Sequence, residues 1–352
     1  MKTSIFETSS NPFIIAEMSG NHNQSLERAL KIVDAAAEAG VDAIKLQTYT
    51  ADTITIPGVY KINDNESLWK ERDLYDLYNE AHTPWGWHKA IYERAKEKNI
   101  ICFSTPFDET AVDFLEELNN TIYKIASFEV NHIPLLKKIA QTGKPVIMST
   151  GASTLAEIDD AVRTLKENGS TDITLLKCTS TYPASPENTN LKTIPHLKEL
   201  FNCKVGLSDH TLGIGVAIAS ISLGATVIEK HFCLNRSEGG VDSVFSMEPQ
   251  EMKMLVEECH KAFSAMGRIS YDIQPTEKNS RIFKRSIYAS QDINEGDFFS
   301  VDNVKIIRPS FGLEPKYLSQ LLGKKSTQCF KKGNPIIFNF ENHVRQANTM
   351  DI

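Results

Sequence analysis

The segment FIIAEMSGNHNQSLERALKIVDAAAEAGVDAIKLQTY, residues 13–49, decides the fold class. It begins and ends with short apolar runs, Phe13 to Ala16 and Ala43 to Leu46, of strand length. Between them Ser25 stands where a helix N-cap belongs, and LERALKIVDAAAEAG (26–40) has the spacing of an amphipathic helix closed by a glycine. Strand, helix, strand is the repeating unit of a parallel sheet. The first run also ends oddly: Ile14, Ile15 and Ala16 read as buried strand, yet Glu17, Asn21, His22 and Asn23 follow at once. A buried strand ending in a carboxylate and a knot of hydrogen-bonding groups points to a site.

The pattern repeats outward along the chain. IICFSTPF (100–107), IYKIASFE (122–129), PVIMSTG (145–151), ITLLKCTS (173–180), KVGLSDH (204–210) and TVIEKHF (226–232) complete eight runs, each followed by a helix or a helical candidate. Eight such units in about 270 residues predict an α/β fold, a closed (β/α)8 TIM barrel, over an open doubly wound sheet. No GxGxxG follows any run, which weakens a dinucleotide-binding alternative. After Gly267 the pattern changes. QPTEKNSRIFKRS reads as linker, and SIYAS, NEGD, VKIIRP and KKGNPII read as short strands and turns. The expected organisation is a barrel over 1–268, a linker over 269–284, a small mostly-β domain over 285–345 and a tail over 346–352. One connection is unusually long, roughly Thr50 to Thr83 after the second strand. Its content, LWKERDLYDLYNEAHTPWGWH (68–88), favours an ordered aromatic lid.

Bulk properties narrow the function. The 352 residues, 41% hydrophobic and 24% charged, describe a soluble globular protein. A net charge of −7 gives no electrostatic reason to expect nucleic acid or an anionic membrane as partner. An anionic ligand must therefore find local positive charge. Cys102, Cys178, Cys203, Cys233, Cys259 and Cys329 are dispersed without CxxC, as free thiols in a reducing cytoplasm would be. MKTSIFETSSNPF lacks the apolar core of a signal peptide, and no apolar run approaches transmembrane length.

In such barrels the site lies at the C-terminal ends of the strands. Every strand ends polar: Glu17; Lys45 and Gln47; Ser104 and Thr105; Lys124, Ser127 and Glu129; Ser149 and Thr150; Lys177, Thr179 and Ser180; Ser208, Asp209 and His210; Glu229, Lys230 and His231. Lys45 and Lys124 each sit between apolar neighbours. A lysine inside a barrel is costly unless an anion pairs with it, and that anion is either an internal carboxylate, Glu17 or Glu129, or a bound substrate. The hydroxyls of Thr105, Ser127, Ser149 and Ser208 add donors that phosphate and carboxylate prefer. His210 and His231 end neighbouring strands. They are placed either to share one divalent ion, with water or substrate completing its shell, or to act as hydrogen-bonded histidines or a lone base. His82, His88, His132, His196 and His260 read as structural or surface residues.

The ordered motifs AEMSGNHN, IKLQTYT, FSTPFD, YKIAS, IMSTGAS, GLSDHT and EKHF resemble the sialic acid synthase family across nearly the whole chain. Met18-Ser19, QTYTADTIT (47–55) and LYDLYNEAHTPWGWH (74–88) look like its pseudaminic acid branch. The resemblance implies a phosphoenolpyruvate-condensing barrel followed by a small antifreeze-like (SAF, β-clip) domain. It implies phosphoenolpyruvate contacts at Lys45, Thr105, Lys124, Ser127, Ser149 and Ser208, and metal ligands at His210 and His231. It further implies a catalytic carboxylate at Glu17, a second acid at Asp242 in EGGVDSVFSM and a sugar-contacting Tyr182 in CTSTYP. Arg308 in IIRPSFG would serve the neighbouring subunit's site, which makes a homodimer the expected active unit. Glu17 is the leading base, with metal-bound water as its rival. The implied cofactor is a divalent ion (Mn, Mg or Co), and the implied substrates are phosphoenolpyruvate and an amino-sugar aldehyde. Ser180 stands where sialic acid synthases have Asn, which speaks against N-acetylmannosamine as acceptor.

Overall fold

The computed structural model of the chain describes residues 11–65 and 67–340. Eight parallel strands close into a barrel, as expected. They are β1 (Phe13–Glu17), β2 (Ala43–Thr48), β3 (Ile101–Pro106), β4 (Tyr123–Ile125), β5 (Val146–Ser149), β6 (Ile173–Cys178), β7 (Lys204–Ser208) and β8 (Val227–His231). The helices Leu26–Ala39, Trp85–Glu97, Glu109–Glu117, Ile133–Gln141, Leu155–Glu167, Thr193–Phe201, Gly215–Ser222 and Pro249–Met266 follow the strands in turn. The first begins as the sequence predicts: the Ser25 side chain accepts from the Arg28 amide, and Gly40 ends the helix in the left-handed region at φ 87°.

Side chains alternate across each strand, and this splits the core in two. Ile14, Ala16, Ile44, Leu46, Tyr123, Ile125, Val146, Met148 and Ile228 point outward and pack under the helices. Phe13, Ile15, Ala43, Phe103, Ile122, Ile147, Leu176 and Val227 fill the bore as an apolar plug. Counting two residues on from the plug gives Glu17, Lys45, Thr105, Lys124, Ser149, Cys178 and Glu229, and Ser208 shares their parity on β7. The barrel is therefore closed by hydrocarbon at its lower layers and lined by ionisable groups and hydroxyls at the top. Glu17 sits in register with Lys45 on one side and His231 on the other.

The long connection after β2 is ordered where described. It carries the short helix Ala51–Ile54, a bridge between Lys61 and Asp73, and the helix Leu74–Ala81. Trp69 donates its Nε1–H to the Val241 carbonyl at 3.0 Å, tying the connection to the segment after β8.

A second compact unit begins at Arg268, one residue before the boundary read from the sequence. The stretch expected as plain linker carries two 3-10 turns, Pro275–Glu277 and Asn279–Phe283. Beyond it β9 (Ser286–Ala289) and β10 (Val304–Ile307) pair antiparallel over a core of Ile287, Ile293, Phe299, Phe330 and Ile336. The expected end of this domain, 341–345, and the tail, 346–352, lie outside the described residues. No helix among the described residues is long and apolar enough to cross a membrane.

Candidate active site

The two bore lysines are buried, and the structure decides which anions answer them. Lys45 forms an ion pair with Glu17, donates to Thr105 Oγ1 at 3.2 Å and lies 3.9 Å from Glu229 Oε1. Lys124 donates to Ser149 Oγ at 2.7 Å and to its neighbour's carbonyl, Ile125 O, at 3.1 Å; it lies 3.8 Å from the same Glu229 oxygen. Ser208 Oγ donates to Glu229 Oε1 at 3.2 Å. Glu229 is thus the common centre of both lysines and one hydroxyl. Of the two carboxylates foreseen as lysine partners, Glu17 is used. Glu129 forms no ion pair with either lysine among the described residues, and burial pushes its carboxyl up to about 7 although Lys124 pulls the other way.

This crowding sets the protons. Burial raises the Glu17 carboxyl to about 7, with Lys45 opposing and Glu229 reinforcing the rise. Burial also opposes ionisation of Glu229, but Lys124, Lys45 and His210 outweigh it and hold Glu229 below its ordinary range. Burial lowers the Lys124 ammonium, and Glu229 offsets that only in part. Lys45, also desolvated, ends above its ordinary value because Glu17 and Glu229 both face it. Two carboxyls and two amines share one water-poor space. Glu229 keeps its charge, and of these four groups Glu17 is the one poised to gain or lose a proton near neutrality.

Ser127 lies just past β4 and accepts a hydrogen bond from the Gly151 amide at 3.1 Å. Gly151 has to be glycine: a Cβ there would sit 2.2 Å from Ser180 Oγ, 2.9 Å from Ser127 Oγ and 3.2 Å from Cys178 Sγ. Cys178 itself faces the bore. Burial pushes its thiol up, but His210, Ser127 and Lys124 bring it down to about 7.

Beside this network the His210 and His231 ring centres lie 5.4 Å apart. His210 Nδ1 donates to the Thr179 carbonyl at 2.9 Å. Burial opposes its charge, but Cys178, that carbonyl and Glu229 outweigh burial and raise the imidazole above its ordinary value, so Nε2 becomes a lone-pair donor only when the ring gives up its second proton. His231 Nδ1 is buried without a hydrogen bond, 4.0 Å from Asp242 Oδ2. Burial, helped by His210, holds the His231 imidazole well below its usual value, so it is neutral. A neutral, desolvated imidazole with an unused nitrogen fits a metal ligand. Among the described residues no three His, Cys, Asp or Glu side chains form a metal-binding group, so the imidazole pair is the donor set on offer. Asp242 accepts from the Gly20 amide at 3.4 Å, and burial raises its carboxyl. Tyr182 packs at 4.4 Å from the His210 ring and 5.1 Å from Phe245, and Trp69 of the lid closes over Tyr182 at 5.8 Å.

The structure therefore brings Glu17, Lys45, Thr105, Lys124, Ser149 and Ser208 into one network, with Ser127 nearby. It gathers His210, His231, Tyr182 and Asp242 beside them. Arg308 lies in the second unit, exposed, directly after β10. Glu229 and Cys178 were not singled out as site residues, although the two-residue step from Val227 and Leu176 points to them. His22 belongs elsewhere: it is buried against Trp87, with Thr83 Oγ1 at 3.3 Å. Asn21 is a tie, donating to Phe232 O and Ser246 Oγ.

Fold and mouth together define a TIM-barrel enzyme with an anion cradle beside an imidazole pair. The chain belongs to the NeuB family, whose model matches residues 32–271, and a SAF domain model matches residues 284–339. A pseudaminic acid synthase of Campylobacter jejuni is 46% identical over 342 residues, 96% of this chain and 98% of that one. An N,N'-diacetyllegionaminic acid synthase of the same organism is 40% identical, covering 91% and 97%. The crystal structure of an N-acetylneuraminic acid synthetase from Leptospira borgpetersenii, in complex with citrate, matches with a TM-score of 0.68 at 34% identity, covering 77% of this chain and 91% of that one.

Proposed function

We propose that the enzyme is a pseudaminic acid synthase. It condenses phosphoenolpyruvate with the open-chain aldehyde of 2,4-diacetamido-2,4,6-trideoxy-altrose and, with water, gives pseudaminic acid and phosphate. One observation carries the reaction class: two buried lysines and a set of hydroxyls converge in the bore around Glu229, next to a carboxyl that titrates at about 7. The choice of sugar rests on the higher identity to the pseudaminic than to the legionaminic relative, and on Ser180.

Lys45, Lys124 and the hydroxyls of Thr105, Ser127, Ser149 and Ser208 hold the phosphate and carboxylate of phosphoenolpyruvate. Fixing the nucleophilic carbon against the aldehyde in this way is worth several kcal/mol of barrier. As the C2–C3 π pair of phosphoenolpyruvate bonds C3 to the aldehyde carbon, the carbonyl pair moves to the aldehyde oxygen, which takes a proton from solvent, and positive charge develops at C2. The ionised Glu17 stabilises that charge and then takes a proton from the water that attacks C2. The tetrahedral intermediate collapses by C–O cleavage, releasing phosphate. Tyr182 and Asp242 face the sugar. A divalent ion (Mn, Mg or Co) held by His210 and His231 would supply Lewis-acid polarisation of the aldehyde carbonyl. Arg308 of a second subunit completes the site in a homodimer. The substrates and the dispersed free thiols suit a cytoplasmic enzyme.

The test is phosphate release from phosphoenolpyruvate with each candidate sugar. The diacetamido 6-deoxy sugar should be used far better than N-acetylmannosamine or the legionaminic precursor. Equal or better use of either competitor would move the enzyme to that branch.

A further inference from the structure

Behind the imidazole pair, on the helix-facing side of the barrel wall, lies an ion pair that no substrate can reach. Asp209 and Lys230 precede His210 and His231 in the chain and have the opposite parity. Both are buried, at 3% and 2% exposure. Lys230 Nζ donates to Asp209 Oδ2 at 2.8 Å and to the Thr211 carbonyl at 2.7 Å. Asp209 Oδ1 accepts from the Thr211 amide at 2.9 Å and its hydroxyl at 2.8 Å. The Asp209 amide donates to Glu229 O at 2.9 Å, extending the ladder one residue past the end of β7.

These contacts bracket His210. The residue before it and the residue after it are both fastened to Lys230, whose own next residue is His231. The His210 carbonyl is also held, by the Ala184 amide at 3.0 Å. A buried ion pair is seldom more stabilising than apolar side chains of equal volume, because desolvating two charges offsets most of their attraction. What it supplies here is direction: two hydrogen bonds from Lys230 fix the loop against the strand, and two from Thr211 to Asp209 fix the turn of the loop itself.

We infer that Asp209 and Lys230 are positioning residues that set the separation of the two imidazoles, and thereby the affinity of the mouth for a divalent cation. This rests on the proposed metal role of His210 and His231. Residues that hold a metal's ligands in place through hydrogen bonds typically change metal affinity 10- to 100-fold when removed.

The test uses the full-length protein and Mn(II), with free ion measured by electron paramagnetic resonance. The double variant Asp209→Leu with Lys230→Met keeps the branching and length of the two side chains, leaves no unpaired buried charge and removes all four hydrogen bonds. It should fold with wild-type circular dichroism, bind phosphoenolpyruvate as tightly as wild type and bind Mn(II) at least tenfold more weakly. Thr211→Val is a milder second variant should the double one fail to fold. It removes one hydroxyl donor from Asp209, keeps the charges, and should weaken Mn(II) binding severalfold. A folded double variant, or failing that Thr211→Val, with Mn(II) affinity within twofold of wild type overturns the inference. His210→Ala separates this from failure of the metal role. If wild type binds no Mn(II), or binds it equally well after His210→Ala, the metal reading falls and the inference with it.

Discussion

Replacing Glu17 by Gln keeps the side chain's shape and removes the one carboxyl in the bore poised near neutrality. Burial lifts Glu17 from 4.5 to about 7. If its ionised form is the base, kcat/KM must rise with pH through a limb centred near 7. One unit below that midpoint only about a tenth of the molecules carry the carboxylate. The rate at pH 6 should then be roughly a tenth of the plateau. The phosphate of phosphoenolpyruvate also titrates near 6, so wild type alone does not isolate the limb. The variant does. Glu17→Gln should lower the plateau by on the order of a hundredfold or more, the usual weight of a general base, and should lose the limb at 7 while keeping any that belongs to the substrate. Phosphoenolpyruvate binding should survive, because Lys45 keeps Glu229 and Thr105 as neighbours. Stability gives an independent readout of the same proton. A carboxyl whose folded pKa is raised favours the fold below 4.5 and loses that contribution as pH rises through about 7; the shift amounts to about 3 kcal/mol. Wild type should therefore lose stability relative to the variant between pH 4.5 and 8. The assay is steady-state phosphate release from pH 5.5 to 9, with urea unfolding at pH 4.5 and at pH 8. A variant within twofold of wild type, or one that keeps the limb at 7, would remove Glu17 as the base.

Other outcomes follow from the same geometry. His210→Ala or His231→Ala should abolish turnover with the fold intact, and chelator should do so reversibly in wild type; full activity in excess chelator would refute the metal role. Gly151→Ala drives a Cβ to within 2.2 Å of Ser180 Oγ and 2.9 Å of Ser127 Oγ. Its KM for phosphoenolpyruvate should rise roughly tenfold or more, since displacing a positioning group by a fraction of an ångström is costly; an unchanged KM would show that Ser127 does not touch this substrate. Mixing Arg308→Ala with His210→Ala subunits and re-forming dimers should restore about a quarter of wild-type activity, because about half the dimers are mixed and each has one complete site. No recovery despite verified exchange would mean that Arg308 acts within its own chain.

The barrel was legible because a βαβ repeat writes itself into local sequence: Ser25 at the cap, Gly40 at the stop, apolar runs of strand length. The site was legible up to parity. A list of polar residues at strand ends mixes two faces, and alternation sorts them: Glu17, Lys45, Lys124 and Glu229 inward, Ser104, Asp209 and Lys230 outward. Ser104 hydrogen-bonds Thr48 at 2.6 Å behind the sheet, and Asp209 and Lys230 satisfy each other there. Which carboxylate answers Lys124 was not legible. The pairing with Glu229 spans four strands, β4 to β8, and depends on the shear of the closed barrel, which no local pattern encodes. His22 misled for a related reason: it is polar, in a site-bearing loop, yet aimed at Trp87 on the neighbouring helix.

The measurement that bears most directly on the account follows one oxygen atom. Phosphoenolpyruvate labelled with 18O at the bridging C–O–P position is turned over with the diacetamido 6-deoxy sugar, and the released phosphate is analysed by mass. Attack of water at C2 within the lysine and hydroxyl cradle predicts that essentially every phosphate carries the label, released by C–O cleavage. Unlabelled phosphate would mean P–O cleavage, with water attacking phosphorus, and would contradict the roles given to Glu17 and to the cradle.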